Sequence, residues 1–350
     1  MIGGPVALAT FLSLVLVLLA LPLLPAWQEW RRPSDAQALS VPPGDARHVH
    51  YFADVLRRAV LIDRAMRALL SPPSFDHIRV PVDQINWREA RRPIISSLSI
   101  RIRDAIRCTQ PLYVRRNLDV DAGSHFDAVL VNGNMWLGPQ CRILHWAHAD
   151  GAFKLGSHCI AAGRLSSQTR IDLDDGCLFE RINAPTICFG SALSGDLDSP
   201  SAYSAGPPRR ANFADLPNAT QRTPAMHRVD GDCDLPPGRL YVGSLVVTGR
   251  LRIGEDTVIL GDVKARKGLH IGRHASVEGA VVCEQTIDIL SGARLRGPVL
   301  AERAVTLGVG VRIGEPSHQT TLSAATVLAE AGSTVHGTVW AREAGLVWAG

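Results

Sequence analysis

Aromatic residues are scarce in this chain of 350 residues, and its net charge is small. Phe, Tyr and Trp together supply 5% of the residues, although 46% of the chain is hydrophobic. The apolar content therefore comes mainly from Val, Leu, Ile and Ala, which suits a core of regular aliphatic layers. It is also too high for a disordered chain. The formal net charge of +4 is too small to indicate a nucleic-acid partner.

Sequence motifs of common enzymes and metal sites are missing as well. The chain contains no CxxC, GxSxG, HExxH or P-loop pattern, so we expect no metal and no cofactor. Its cysteines are odd in number and are not spaced like those of a small secreted scaffold. We interpret them as reduced thiols, which favours a cytoplasmic body. They are Cys108, Cys141, Cys159, Cys177, Cys188, Cys233 and Cys283.

A long apolar run near the start predicts a membrane anchor. At ~1.5 Å rise per residue, the run is just long enough for one crossing. Because basic residues follow the run and none precedes it, the positive-inside rule predicts a single-pass protein with a cytoplasmic body. A cleaved signal peptide is the alternative, although a charged leading region and a clean cleavage site are both missing. The run, its interfacial tryptophans and its basic pair are Val6 to Leu24, Trp27, Trp30, Arg31 and Arg32.

A short amphipathic helix is predicted between His48 and Leu70, beyond a Pro- and Ser-rich linker. Its arginine-rich side could lie against anionic lipid or could be solvated, and the two interpretations are equally weighted. The expected apolar stripe is Phe52, Val55, Leu56, Ala59, Ile62, Met66 and Leu69.

A six-residue repeat dominates the second half of the chain. Every sixth residue from Tyr241 to Ile313 is apolar, and so is almost every residue four positions later. Glycines recur 18 residues apart, at Gly243, Gly261 and Gly279. Three hexads therefore make one coil, with inward aliphatic side chains and glycine at tight corners. The pattern predicts an all-β fold, a parallel β-helix of 18-residue triangular coils.

The same repeat is present earlier, from Val131 to Phe179. There it places Cys141, Cys159 and Cys177 in one inward column. We interpret this column as buried thiols that act as small hydrophobes, with a metal or redox stack as the alternative.

These patterns divide the chain into five segments. They are a transmembrane anchor (1–30), a linker with a membrane-proximal helical and mixed segment (31–117), a first β-helical block (118–189), a Pro- and Ser-rich insert (190–238) and a second block (239–350). The sequence leaves open whether the two blocks form one solenoid or two.

The second block resembles the bactofilins, in which a V-x-G-x-V-x-A phrase recurs. It occurs here at Val277–Cys283, Leu295–Ala301 and Ile259–Ala265, and Ile271-Gly272 supplies the accompanying Ile-Gly pair. The resemblance covers roughly 75 residues well. It implies a right-handed β-helix, nucleotide-free polymerisation and attachment to the bacterial inner membrane. The chain differs from that family in its length, its insert and its full membrane span.

The resemblance predicts a non-catalytic scaffold that self-assembles, contacts the bilayer and positions protein partners. An uncapped β-helix end exposes strand edges that can template a second chain. The last coil shows no polar cap, so we expect one assembly interface at Val339, Trp340, Val347 and Trp348. A fold-back that caps this end is the alternative.

Two other functions remain open. Hexapeptide acyltransferases also use 18-residue coils, but they need a histidine to deprotonate the acceptor hydroxyl. The candidates are His145, His148, His158, His270 and His274. A non-polymerising membrane adaptor would instead need an exposed partner surface on the insert or on the arginine-rich helix.

Overall fold

The computed structural model describes residues 51–66, 75–78, 85–190 and 208–349, together with four single positions between 14 and 21. The chain divides into two units, Met1–His48 and Val49–Gly350, and the second holds almost all of the described residues. No helix in these described ranges is long and apolar enough to cross a membrane. The predicted anchor, from Val6 to Arg32, lies outside the described residues apart from those single positions.

Two blocks of short strands and one flanking helix form the described part of the second unit. The helix is α1 (Tyr51–Met66). Block 1 consists of β1 (Asp76–His77), β2 (Ile94–Ser96), β3 (Ile100–Ile102), β4 (Arg107–Cys108), β5 (Leu112–Val114), β6 (Leu118–Val120), β7 (His125–Val131), β8 (Met135–Leu137), β9 (Arg142–Ala149), β10 (Phe153–Leu155), β11 (Ile160–Ser167), β12 (Arg170–Leu173) and β13 (Leu178–Phe189).

Block 2 begins with a strand and one 3-10 turn at Phe213–Asp215. Its strands are β14 (Arg209–Ala211), β15 (Ala219–Thr223), β16 (Met226–Val229), β17 (Cys233–Leu235), β18 (Arg239–Val242), β19 (Ser244–Val247), β20 (Arg250–Ile253), β21 (Val258–Leu260), β22 (Val263–Ala265), β23 (Gly268–Ile271), β24 (Ser276–Val277), β25 (Val281–Cys283), β26 (Thr286–Ile289), β27 (Arg294–Leu295), β28 (Val299–Ala301), β29 (Ala304–Leu307), β30 (Arg312–Ile313), β31 (Thr320–Glu330) and β32 (Thr334–Trp348).

The strands stack in parallel with the predicted 18-residue step. Phe153 pairs with Met135 on one side and with Ile171 on the other. Val281 pairs in the same way with Val263 and Val299 in block 2. The predicted parallel β-helix is confirmed as a β-solenoid of about 14 turns.

The hexad positions form the core. Every sixth residue from Tyr241 to Ile313 is buried, as is every sixth residue from Val131 to Phe179. Thr257, the one polar residue in the accompanying column, is fully buried and donates its hydroxyl to the Pro236 carbonyl at 3.0 Å. The hydrogen bond replaces the water that burial removes, so the core tolerates the hydroxyl.

Both blocks begin earlier than the sequence predicts. The ladder of block 1 starts at Asp76, which pairs with Ile94, and the ladder of block 2 starts at Arg209. The alternation of inward apolar and outward polar residues is hidden in the first coils, because Ile95 and Tyr113 are apolar although they point outward. Helix α1 covers both residues with Ala53 and other apolar side chains. The predicted insert is therefore part of the solenoid from residue 209 onward, and residues 191–207 lie outside the described ranges.

The buried face of α1 is offset from the predicted stripe. Ala53 and Val60 are buried, whereas Val55 and Ile62 are exposed. Leu56 and Ala59 are partly buried and pack against the cluster that contains Ile95 and Tyr113. The prediction of a helix is confirmed, but the predicted stripe is exposed at Phe52, Val55 and Ile62. Leu69 and the side chain of Met66 lie outside what the structure describes.

One corner of the coils adopts a left-handed backbone conformation. His158 (φ 57°) is followed one coil later by Gly176 (φ 72°), and His274 (φ 54°) is followed by Gly292 (φ 73°). The histidine ring of the lower coil fills the place that a Cβ of the glycine above would need. These corners therefore require glycine for two reasons, the positive φ and the close approach.

Candidate interaction site at the junction of the two blocks

The two blocks meet by their last strands. β13 and β32 pair antiparallel, with Ile182 opposite Val339 and Asn183 opposite Thr338. Among the described residues, the pairing joins all strands into one 32-stranded sheet. Both blocks therefore end at the junction, where the chain direction reverses from one block to the other. The two blocks form one solenoid. The sequence left this point open.

Backbone and side-chain hydrogen bonds close the junction. Gly176 donates its backbone N–H to the Val347 carbonyl at 2.8 Å, and Val347 donates in return to Cys177 at 3.0 Å. The Asn183 amide donates to the Thr338 hydroxyl at 2.7 Å. The ladder of hydrogen bonds thus continues across the point where the chain direction reverses.

The expected assembly interface coincides with this junction. Val339 and Val347 are fully buried, and Trp340 and Trp348 are 44% and 42% exposed. All four lie in β32, whose edge is already paired with β13. The expectation that this edge is unpaired is therefore corrected: the chain caps its own carboxy-terminal coil, as in the fold-back alternative, but with block 1 as the cap.

A groove of about 620 Å³ lies on the outer surface beside the junction. Arg164 of β11 lies opposite Trp146 of β9 on one side and Arg181 of β13 on the other. Arg181 in turn lies opposite Trp340 of β32. The four neighbouring strands thus carry one outward column of residues, which consists of Trp146, Arg164, Arg181 and Trp340. Phe52 of α1 also lines the groove.

Aromatic rings hold both guanidinium groups. Arg164 lies 5.5 Å from the centre of the Phe52 ring, and Arg181 lies 5.3 Å from that of Trp340. Phe52 is itself stacked on Trp146, with ring centres 6.2 Å apart. Burial and the neighbouring charge of Arg164 lower the pKa of Arg181. Both effects disfavour a positive charge on Arg181, so an anion in the groove would relieve them.

Two of the candidate histidines lie on β9 and have different surroundings. His145 is exposed in the groove, with Nδ1 2.7 Å from an Asp127 carboxylate oxygen. His148 is fully buried, with Nδ1 2.8 Å from the Ser166 hydroxyl and Nε2 3.0 Å from Asp150.

Asp150 links His148 to α1. Its carboxylate accepts hydrogen bonds from Arg57 of α1 and, at 2.8 Å, from Gln168. Burial opposes ionisation of this carboxyl, but His148 and Arg57 outweigh it and lower the pKa of Asp150. His148 and Ser166 are buried, and the network fastens the helix to the solenoid.

The other candidate histidines lie away from this groove. His158 and His274 occupy left-handed corners. His270 lies in β23, between Arg252 and Asp288 on the neighbouring strands. The structure therefore brings only His145 together with the groove.

The predicted cysteine column is present. Cys141, Cys159 and Cys177 are buried and unpaired by disulfides. The Cys159 and Cys177 thiols donate to backbone carbonyls at 3.2 and 3.1 Å. Within the described ranges, no group of three His, Cys, Asp or Glu residues could hold a metal ion.

Comparison of the chain with protein-family models, with curated proteins and with solved structures gave no match. The groove residues Trp146, Arg164 and Arg181 were not predicted from the sequence, because outward positions vary within the repeat. Their spacing of 18 and 17 residues, one coil each, is the signal that could have identified them.

Proposed function

We propose that the chain is a non-catalytic, bactofilin-like scaffold, tethered to the bacterial inner membrane, that self-assembles and positions partners there. The apolar run from Val6 to Leu24 and the recurring V-x-G-x-V-x-A phrase support the tether and the family. One structural observation supports the self-assembly part of the proposal: within this chain, two solenoid ends already pair edge to edge through β13 and β32. A polymer of solenoids needs this type of contact between chains.

Self-assembly would use an outer end of the solenoid, because the junction occupies both carboxy-terminal coils. In block 2 the outermost strand is β15, which among described strands pairs with β16 and with no other. Its other edge can add a strand from a second copy.

The non-polymerising adaptor is the second candidate, and the same end of block 2 favours it. Phe213 is buried and stacked on Tyr241, with ring centres 4.6 Å apart. It covers the first coil of block 2 as a lid. Arg222 is exposed on β15, and a charged edge strand is a common protection against strand addition.

Electron microscopy of the detergent-solubilised full chain over a range of concentrations distinguishes the two candidates. Gln221→Pro removes a backbone N–H from β15, and Gln221→Ala is the matched control. Self-assembly predicts rods or filaments for the wild type and for Gln221→Ala, and shorter ones for Gln221→Pro. Single-chain particles at every concentration would contradict self-assembly and support the adaptor.

A further inference from the structure

The groove beside the junction contains two like charges that face each other. Arg164 and Arg181 are direct neighbours on adjacent strands, which lie about 4.8 Å apart in a sheet. Like charges in this relationship destabilise a sheet. Within the described part of the chain, neither guanidinium forms an ion pair, whereas Arg342 and His145 in the same groove have Glu302 and Asp127 as partners.

The rings of the groove hold the two guanidinium groups before any ligand arrives. Phe52 lies over Arg164, and Trp340 lies over Arg181. A cation over a ring face is attracted to it, so each side chain is held without an acidic partner. Side chains that are ordered in advance lose less entropy when a ligand binds.

We propose that this groove binds a phosphate group, with Arg164 and Arg181 as its two ligands. A carboxylate has two oxygens, which one guanidinium fork can satisfy. A phosphate has an additional oxygen and more charge, so it can accept hydrogen bonds from both forks. The apolar walls formed by Phe52, Trp146 and Trp340 suit the organic part of a phosphate ester. The proposal does not depend on self-assembly.

The phosphate can come from a soluble molecule or from a lipid headgroup, and the probes separate the two sources. The full chain in detergent is titrated by isothermal calorimetry with inorganic phosphate, with pyrophosphate and with water-soluble dihexanoyl phosphatidylglycerol. Tighter binding of pyrophosphate would assign a soluble ligand. Tighter binding of the short-chain lipid would assign a headgroup.

Matched double variants test the two arginines. Arg164→Gln with Arg181→Gln should weaken binding of the tighter probe at least tenfold. Arg294 and Arg312 face each other in the same way on β27 and β30. Their double exchange to Gln removes the same charge, and it should change the affinity less than twofold. Trp340→Leu keeps both charges and should weaken binding severalfold, which provides a test if the first double variant does not fold.

The proposal is overturned if the wild type shows no saturable binding of the three probes. It is also overturned if the two double variants lose affinity equally, because the effect would then reflect net charge alone. Circular dichroism melting of each variant confirms that the solenoid is intact before binding is compared.

Discussion

Ile182 of block 1 and Val339 of block 2 are direct antiparallel partners, and both side chains are fully buried. They lie at the point where the two chain directions meet. The solenoid core is continuous across this point, because the same inward column that fills each block also fills the junction.

Truncation of Ile182 to Ala should lower the free energy of unfolding by about 2–5 kcal/mol, since it opens a cavity in the shared core. Urea denaturation followed by circular dichroism measures the loss. Leu300→Ala is the control: Leu300 is an outward residue that is 39% exposed, so its truncation should cost much less. Equal losses for the two variants would show that the junction is not part of the core.

Asp150 should make the attachment of α1 sensitive to acid. Its folded pKa lies below the ordinary value of 3.8, so its stabilising effect is complete above about pH 5 and is lost as the pH falls through the lowered pKa. Asp150→Asn should therefore reduce stability by about 1 kcal/mol at neutral pH, and the difference should shrink in acid. Urea denaturation between pH 3 and pH 7 measures it. Asp104→Asn, at an exposed site, should have no such effect.

Asparagine side chains should stabilise successive coils of block 1 by capping backbone amides. Asn134 accepts the Ala152 N–H at 2.9 Å, and in block 2 Asp262 accepts the Ala280 N–H at 2.8 Å. Asn134→Ala should cost about 1 kcal/mol in urea denaturation. Asn134→Asp should retain the stability, because Asp262 makes the same contact. A loss with Asp as large as that with Ala would contradict this role.

The left-handed corner at Gly292 should not tolerate a side chain. Gly292→Ala has an unfavourable φ and overlaps the His274 ring, so thermal melting should show a loss of about 1–2 kcal/mol. The second change His274→Gly removes the overlap, so Gly292→Ala should cost less in the His274→Gly background than in the wild type. If it costs the same in both backgrounds, the ring contact has no energetic role.

The core thiols should be unreactive in the folded protein. Burial raises the pKa of Cys108 and of Cys233 to about 11, so few thiolates are present at pH 8. Only Cys188 is partly exposed. Titration with a disulfide reagent should therefore show at most one fast thiol, which Cys188→Ser removes. Several fast thiols in the folded state would contradict the burial of the other six cysteines.

The hexad core could be predicted because each coil repeats the same inward positions, from Tyr241 to Ile313. The first coils could not be predicted, because Ile95 and Tyr113 are outward residues that pack against α1. Their apolar side chains interrupt the alternation of inward apolar and outward polar residues. The junction has no local signal: Ile182 and Val339 are far apart in sequence and belong to different repeats. The groove depends on outward residues, which the core pattern leaves free to vary.

The most direct test of the single solenoid is to cut the connection between the blocks. A protease site is placed within residues 191–207, block 2 carries an affinity tag, and the full chain is cleaved after folding. If the two blocks form one solenoid, block 1 stays bound to tagged block 2 after cleavage, and Gly345→Leu, which overlaps the Phe179 ring, releases it. Release of block 1 on cleavage of the chain with Gly345 intact would show that the two blocks do not form one solenoid.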